Sequence, residues 1–243
     1  MGSIFGVTSG KGGVGKSTCS VGLAYAFSSL GDKVLLVDMD EGLRCLDLML
    51  GIDKTAVFDL SDVLKGADFE DALYQSPLKE GVYLIPAPRT VGQIEASLLK
   101  EFAIKAAEKF DYVIFDFPAG IDFTFYEALP EDTLFITVAV PDPVSIRDAA
   151  AVADKLGEMS LKSRLIINRF NYKQSRKYKI KNIDDIIDNT ALRLLGLVPE
   201  SEELLMFSMS HRLEKRGRNI KAFTRIVKRL KGNNVLLPKL KKI

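Results

Sequence analysis

The stretch SGKGGVGKST, residues 9–18, decides the fold. It contains a complete G-x-x-x-x-G-K-[ST] phosphate-binding motif between an apolar run at residues 3–8 and a helical pattern. Glycines in such a loop let backbone N–H groups surround phosphate oxygens, and the N-terminus of the next helix adds its positive dipole end. We expect Lys16 to reach the β- and γ-phosphates and Ser17 to bind Mg²⁺. The loop residues predicted to bind nucleotide are Gly10, Lys11, Gly12, Gly13, Val14, Gly15, Lys16, Ser17 and Thr18.

Short apolar runs alternate with helical patterns along the rest of the chain. The runs at residues 3–8, 33–38, 82–86, 112–117, 133–140, 164–168 and 194–199 are nearly continuous, which is typical of strands buried on both faces. Helices are predicted after the loop, in a stripe that Gly31 closes, and at residues 94–110 and 144–156. This order predicts an α/β fold, a three-layer α/β/α P-loop NTPase with a mostly parallel central sheet flanked by helices. We expect one domain at residues 1–231 and a tail at residues 232–243.

The composition indicates a globular chain. With 243 residues, 47% of them hydrophobic, it has enough apolar side chains for the core of one large domain. No apolar run approaches the roughly 18 residues of a membrane span, and the start lacks the pattern of a signal peptide. Cys19 and Cys45 lie far apart without metal-binding spacing, so we expect two small buried side chains. These features predict a cytoplasmic protein.

The net charge of +2 hides an uneven distribution. Residues 161–181 contain eight Lys or Arg and no acidic residue, and residues 211–243 contain twelve against one Glu. Such asymmetry indicates an anionic partner, either a membrane surface or nucleic acid, although a solvated basic face is a common alternative.

Carboxylates follow two of the predicted strands at the edge where the phosphate loop lies. Asp38 and Asp40 end the second run, and Asp116 ends the fourth. In parallel α/β sheets, ligands bind beyond the carboxyl ends of the strands. Aspartates there hold magnesium or orient the attacking water in phosphoryl transfer, whereas a single one is more often a turn or a helix cap. Because three converge, we predict a metal site, with Gly120 after Pro118 leaving room for the γ-phosphate.

The lysine directly after the first glycine, Lys11, marks an unusual form of the loop. The pattern K-G-G-x-G-K-[ST] resembles the deviant Walker A loop of the ParA/MinD family of P-loop ATPases. Residues 38–51 (DMDEGLRCLDLMLG) and 115–122 (FDFPAGID) resemble the MinD septum-site-determining ATPases within it, and the agreement continues through VPDPVSIRD, NRFN and GLVPE. The resemblance covers roughly residues 2–231. It implies an ATPase that uses ATP and Mg²⁺.

The resemblance implies an ATP-dependent homodimer. In that family Lys11 is the signature lysine, which crosses the dimer interface to the phosphates of the partner's ATP. Asp38 and Asp40 form switch I, with Asp40 orienting the attacking water, and Asp116 is the Walker B aspartate of switch II. The implied metal-binding residues are Ser17, Asp38 and Asp116, and the implied catalytic residues are Lys11, Lys16 and Asp40.

Two further sets of residues match the family. Asn168 and Pro199 match positions that contact adenine, and Arg44 lies where the family binds regulators, although an exposed helix arginine is an alternative interpretation of Arg44. The residues implied in switching or regulator binding are Asp38, Asp40, Arg44, Pro118 and Gly120. The implied regulators are a division inhibitor of the MinC type and a topological regulator of the MinE or DivIVA type.

The tail departs from the family's C-terminal amphipathic helix. If Asn234 caps a helix, one face carries Leu236, Leu237, Leu240 and Ile243, and the other carries lysines, the arrangement of an interfacial helix. Pro238 is tolerable only in the first turn. We therefore expect the tail to bind the anionic inner membrane surface, with a disordered or packed basic end as the alternative.

The leading hypothesis is a MinD-like ATPase of cell division site selection. It dimerises on ATP, binds the inner face of the membrane as a peripheral protein, recruits the inhibitor and leaves after hydrolysis. The alternative is a ParA-type partition ATPase whose dimer binds DNA without sequence specificity through basic patches. An iron–sulfur electron-transfer protein sharing this loop would need interface cysteines that the chain lacks. A nucleotide-binding scaffold without catalysis is disfavoured because Lys11, Lys16, Asp40 and Asp116 are all present.

Overall fold

The computed structural model describes residues 1–120, 123–177, 183–211 and 217–242. Its strands are β1 (Ser3–Thr8), β2 (Val34–Asp38), β3 (Tyr74–Gln75), β4 (Val82–Ile85), β5 (Tyr112–Asp116), β6 (Leu134–Ala139), β7 (Lys162–Phe170) and β8 (Leu194–Pro199). Within the described residues they form one sheet in the order β3-β4-β2-β5-β1-β6-β7-β8. Only the β3–β4 pair is antiparallel. The carboxyl ends of the parallel strands therefore share one edge.

Helices connect the strands and cover the sheet. They are α1 (Lys16–Ser28), α2 (Leu46–Leu50), α3 (Leu60–Leu64), α4 (Ala96–Lys109), α5 (Pro143–Glu158), α6 (Tyr172–Lys177), α7 (Ile183–Thr190), α8 (Glu202–Leu205), α9 (Phe207–Ser210) and α10 (Arg218–Leu230), and a 3-10 turn covers Leu240–Lys242. Among the described residues, no helix combines the length and the apolar character that crossing a membrane requires.

Alternate residues of the strands pack into different apolar clusters. Along β2, Val34 and Leu36 join a cluster that also contains residues of α1 and α10, whereas Leu35 and Val37 join a cluster with residues of α3 and α4. Successive side chains of a strand point to opposite faces, so the two clusters lie on opposite sides of the sheet. The predicted three-layer α/β/α architecture is confirmed.

Helix α10 lies in the basic stretch at residues 211–243 and was not predicted as a helix from the sequence. Its apolar side chains are buried while Lys221 and Lys228 are exposed. The ring of Phe223 packs directly against Gly22 of α1, where a Cβ would collide with it. The predicted domain is therefore completed, near its C-terminal boundary, by a helix that packs on the helix of the phosphate loop.

All seven predicted strands and the three predicted helical regions are present. Strand β3 was not predicted; it has only two residues at the edge of the sheet, Tyr74 half-buried and Gln75 exposed. Such a short segment carries no periodic apolar signal.

The tail does not form the helix that was considered from the sequence. Residues 233–239 have no regular structure, consistent with the disruptive effect of Pro238. Leu236 and Leu237 are 83% and 44% exposed, whereas Leu240 packs against a buried cluster with residues of β7 and α7. The expected common face of these leucines is therefore absent, and Ile243 lies outside the described residues.

Candidate active site

A cavity of about 550 Å³ lies at the carboxyl ends of the strands. Its walls come from the loop between β1 and α1, from segments that follow β2 and β5, and from the ends of β7 and β8. This is where ligands bind in parallel α/β sheets. Of the residues predicted from the sequence, those that line it are Gly12, Gly13, Gly15, Lys16, Ser17, Thr18, Asp40, Pro118, Asn168 and Pro199.

The glycines of the phosphate loop have separate roles. Gly13 and Gly15 have φ angles of 75° and 87°, a region that favours glycine. A Cβ at Gly12 or Gly13 would meet no atom within 4 Å, so this part of the loop is open. At Gly10, in contrast, a Cβ would collide with the backbone of Asp148 in α5. Gly10 therefore brings α5 against the loop and does not line the cavity.

The first turn of α1 is available to an anion. Gly15 is its N-cap residue, and no side chain of the described residues caps the helix. The first N–H groups of a helix have no intrahelical partner, and they carry the positive end of the helix dipole. The loop and helix therefore fit the phosphates of a nucleotide.

Lys16 and Asp116 form a buried pair behind the cavity. The Lys16 Nζ lies 3.7 Å from Asp116 Oδ1, which also accepts a hydrogen bond of 2.8 Å from the Ser20 hydroxyl. Asp116 is fully buried, and its Oδ2 has no hydrogen-bond partner among the described residues. Buried carboxylate oxygens are rarely left without a partner. This free oxygen fits a hydrated Mg²⁺, an ion that prefers oxygen ligands and keeps several waters.

Asp38 is buried beside Asp116, its partner in the register of β2 and β5. Its Oδ1 and Oδ2 accept backbone hydrogen bonds of 3.0 and 3.2 Å from Asp40 and Leu46. Burial and the Asp116 charge raise the pKa of Asp38 to about 7. Asp38 does not line the cavity, and it fixes the backbone of the segment that carries Asp40. Its predicted metal role remains a prediction.

Asp40 is half-buried and lines the cavity. Burial raises its pKa, the Lys16 ammonium opposes that shift, and the Asp116 charge adds to it. Lys11, in contrast, is exposed and does not line the cavity, and its carbonyl accepts a hydrogen bond of 3.0 Å from Ser9. The two lysines of the loop therefore differ, because Lys16 lines the cavity and Lys11 lies at the surface.

The ends of β7 and β8 contribute an amide and a proline to the cavity wall. The Asn168 side chain packs against Gly15 and donates a hydrogen bond of 2.8 Å to the carbonyl of buried Val14. Its Oδ1 is buried without a hydrogen-bond partner within the described part of the chain. That acceptor, with Pro199 nearby in the lining, fits the exocyclic amine of an adenine base.

Half of the lining residues were not predicted from the sequence, and Arg169 and Cys45 are two of them. Arg169 has a φ of 52° and follows Asn168 directly, so the same NRFN motif could have pointed to it. Cys45 was expected to be buried like Cys19, but it is half-buried and lines the cavity. Burial and the Asp38 charge raise the pKa of the Cys45 thiol to about 12, so this side chain is neutral.

The residues predicted to switch or bind regulators flank the cavity. The Arg44 side chain is only 7% exposed, and its Nε donates a hydrogen bond of 2.8 Å to Asp47. Its Nη2 has no hydrogen-bond partner among the described residues. Arg44 and Arg89 together line a surface depression of about 500 Å³. Arg44 is therefore not a simple exposed helix arginine. Gly120 has a φ of 127° and its N–H donates to Ser9.

Residues 5–214 match the family described as the CobQ/CobB/MinD/ParA nucleotide binding domain. The chain belongs to this family. It is 33% identical over 246 residues to the septum site-determining protein MinD of Thermotoga maritima, and the match covers 98% of this chain and 91% of that protein. The resemblance drawn from the deviant loop is thereby confirmed.

Solved structures of MinD share the fold of this family member. The MinC:MinD cell division protein complex of Aquifex aeolicus matches with a TM-score of 0.87 and 31% identity, covering 98% of this chain and 99% of that one. MinD of Pyrococcus horikoshii complexed with Mg-ADP matches with a TM-score of 0.82 and 27% identity, covering 95% and 96%. The chain is a nucleotide-binding P-loop ATPase of the MinD/ParA family.

Proposed function

We propose that this family member is a MinD-type ATPase of division site selection, which closes into a dimer around two ATP molecules. The observation that carries the proposal is the different placement of the two loop lysines. Lys16 lies in the cavity beside Asp116, whereas Lys11 is exposed outside it. A cation at the surface reaches a phosphate only when a second subunit covers the site. The MinD relatives named above support the same reading.

Each residue of the site then has a chemical task. The loop N–H groups and Lys16 hold the β- and γ-phosphates, and Asn168 and Pro199 hold the adenine. Ser17 and Asp116, with Asp38 behind them, hold Mg²⁺, which supplies charge neutralisation on the phosphates when it is bound. Asp40 orients the attacking water. Lys11 of the second subunit stabilises the charge that develops during transfer, as a cation supplied in trans does in related phosphoryl transfers.

The partner that we propose is an inhibitor of the MinC type, because a solved neighbour at 31% identity is a MinC:MinD complex. The depression beside Arg44 is our candidate surface, since Arg44 and Arg89 line it and guanidinium groups are suited to the carboxylates of a partner. Exposed Leu43 and Val91 flank it, 77% and 72% exposed. A topological regulator of the MinE or DivIVA type is proposed from the family resemblance alone.

We propose that the ATP dimer binds the inner face of the membrane through its tails. Leu236 and Leu237 are exposed close to Lys239 and Lys241, which suits an anionic lipid surface. Since Leu240 is packed and no helix is preformed, membrane binding requires the tail to leave its place. Two tails in one dimer multiply a weak affinity through effective concentration.

The second candidate, a ParA-type partition ATPase, is favoured by the basic side chains of α10. Lys221 and Lys228 are exposed, and the helix contains no acidic residue. Such a face suits the phosphates of DNA, and binding through it falls steeply with salt. We rank it second because the relatives that match most of the chain at 31% identity or more are MinD proteins.

Liposome sedimentation with ATP or ADP tests the membrane proposal. The protein should pellet with anionic vesicles in ATP and stay in the supernatant in ADP. The double variant Leu236→Ser/Leu237→Ser should lose pelleting, whereas Val57→Ser, which changes an equally exposed apolar residue elsewhere, should retain it. Equal pelleting in both nucleotides would contradict the proposal. Salt-sensitive, ATP-dependent DNA binding without vesicle binding would favour the second candidate.

A further inference from the structure

Glu41, the residue after Asp40, joins two loops at the rim of the active site. Its Oε2 accepts a hydrogen bond of 2.8 Å from the Gly92 N–H, and its Oε1 accepts bonds of 2.7 Å from the Gln93 and Ile94 N–H groups. One carboxylate therefore holds three consecutive amides. Hydrogen bonds to an ionised acceptor are roughly twice as strong as neutral ones, so this contact is a strong link between the segment after β2 and the loop before α4.

The same two loops are joined beside Glu41. The Gly42 N–H donates to the Pro88 carbonyl at 3.0 Å. Gly42 has a φ of 81°, and a Cβ there would come within 3.2 Å of the Val91 side chain. The two backbones are therefore closely packed as well as hydrogen-bonded.

The loop that Glu41 holds is itself anchored in the core. Ile94 is 7% exposed and belongs to the cluster under β2 and β5, next to Leu99 of α4. Through Ile94, the Glu41 carboxylate connects the segment that carries Asp40 to the apolar cluster between the sheet and α4.

The backbone of Asp40 is held on both sides. Across the described residues the Asp40 carboxylate has no hydrogen-bond partner, so its position is set by its backbone. On the amino-terminal side the backbone is fixed by Asp38, which accepts from the N–H of Asp40 at 3.0 Å. On the other side it is fixed by Glu41. Asp40 therefore stands between two anchored residues while its own side chain stays free to face a substrate.

We propose that Glu41 is a positioning residue, which sets the place of the Asp40 carboxylate by clamping its backbone to residues 92–94. The inference rests on the proposed role of Asp40 in orienting the attacking water. It predicts that loss of the clamp slows hydrolysis without weakening nucleotide binding. A misplacement of about 1 Å in a catalytic group costs on the order of 100-fold in rate.

The test compares Glu41→Ala and Glu41→Gln with the wild-type protein and with Glu95→Gln. Glu95 is an exposed carboxylate one residue beyond the clamped amides, so its variant removes a similar charge without touching the clamp. Three quantities are measured: the rate of phosphate release from Mg-ATP in a single turnover, the affinity for ATP, and hydrogen exchange of the amides of residues 92–94.

We expect Glu41→Ala to slow single-turnover hydrolysis by about 10- to 100-fold, with unchanged ATP affinity and faster exchange at residues 92–94. Glu41→Gln keeps Oε1 as an acceptor for two amides and should recover a large part of the rate. It also remains informative where Glu41→Ala fails to fold. Glu95→Gln should match the wild type in all three measurements.

Other outcomes overturn the inference. Faster exchange at residues 92–94 with wild-type hydrolysis would show a clamp that does not position Asp40, and unchanged exchange would show that there is no clamp in solution. An equal loss of ATP affinity and rate would indicate a general structural role. A wild-type protein that binds ATP and dimerises but never releases phosphate would overturn the proposed function itself. Failure of the proposed function is thereby distinguished from failure of the inference about Glu41, which is tested on variants of an active protein.

Discussion

Lys16 Nζ lies 3.7 Å from Asp116 Oδ1, and both side chains are more than nine-tenths buried. The pair joins the phosphate loop to the end of β5. The remaining oxygen of Asp116 has no hydrogen-bond partner within the described residues. A buried pair with one free carboxylate oxygen is arranged to receive a further cation, because the second oxygen otherwise stays without a partner.

Asp116→Asn should separate magnesium binding from nucleotide binding. The variant keeps an oxygen that can accept from Ser20 but loses the negative charge. In the wild type we expect Mg²⁺ to raise ATP affinity, and in Asp116→Asn we expect that gain to fall by about 10- to 100-fold. Titrations of ATP with and without EDTA measure it, and the exposed residue Asp132 supplies the control Asp132→Asn. A full magnesium effect in Asp116→Asn would exclude Asp116 from the metal site.

Lys11→Ala should leave ATP binding to the single subunit intact, because Lys11 is exposed and lies outside the cavity. It should abolish ATP-dependent dimerisation and lower hydrolysis by about 1,000-fold, the effect typical of a cation supplied in trans. Size-exclusion chromatography with ATP and a phosphate-release assay check both effects. The exposed lysine Lys54 gives the control Lys54→Ala. A Lys11→Ala protein that dimerises and turns over normally would refute the in-trans role.

The sequence predicted the parallel sheet and half of the residues that line the cavity, because both depend on local patterns. Buried strands are near-continuous apolar runs, and the phosphate loop is a contiguous motif. The hydrogen bonds of Glu41 could not be predicted, because they join residues 51 to 53 positions apart in the sequence. Cys45 shows the same limit, since nothing near it in sequence indicates that it lines the cavity. The predicted helix of the tail is absent for a local reason. Pro238 disrupts the helix that would have placed the leucines on one face.

Gly22→Ala should destabilise the domain although alanine favours helices. A Cβ at Gly22 would collide with the ring of Phe223, so α10 would have to shift off α1. Overpacking of this kind costs about 1–3 kcal/mol of unfolding free energy. Gly157 in α5 is the matched control, since a Cβ there meets nothing within 4 Å, and Gly157→Ala should stabilise by about 0.4–1 kcal/mol. Urea unfolding compares the two; equal effects would contradict the packing argument.

Asp38 should make the stability of the protein without ligands depend on pH. Its pKa is about 7 in the folded state, raised from an ordinary value of 3.8 by burial and by the Asp116 charge. Between about pH 4 and pH 7 the folded state therefore holds a proton that the unfolded state has released. The free energy of unfolding must fall as pH rises through this window, by at most about 1.4 kcal/mol per pH unit, and level off above it.

Asp38→Asn removes this titration and isolates its effect. The variant keeps one acceptor oxygen and so loses only one of the two hydrogen bonds from the Asp40 and Leu46 N–H groups, a cost that does not change with pH. Its stability relative to the wild type should therefore improve steadily from pH 4 to pH 7 and stay constant at higher pH. Urea midpoints at intervals of one pH unit, in EDTA, measure the difference, with Asp132→Asn as the exposed control. A difference that is flat across the window would mean that Asp38 is already ionised in the folded protein at acidic pH.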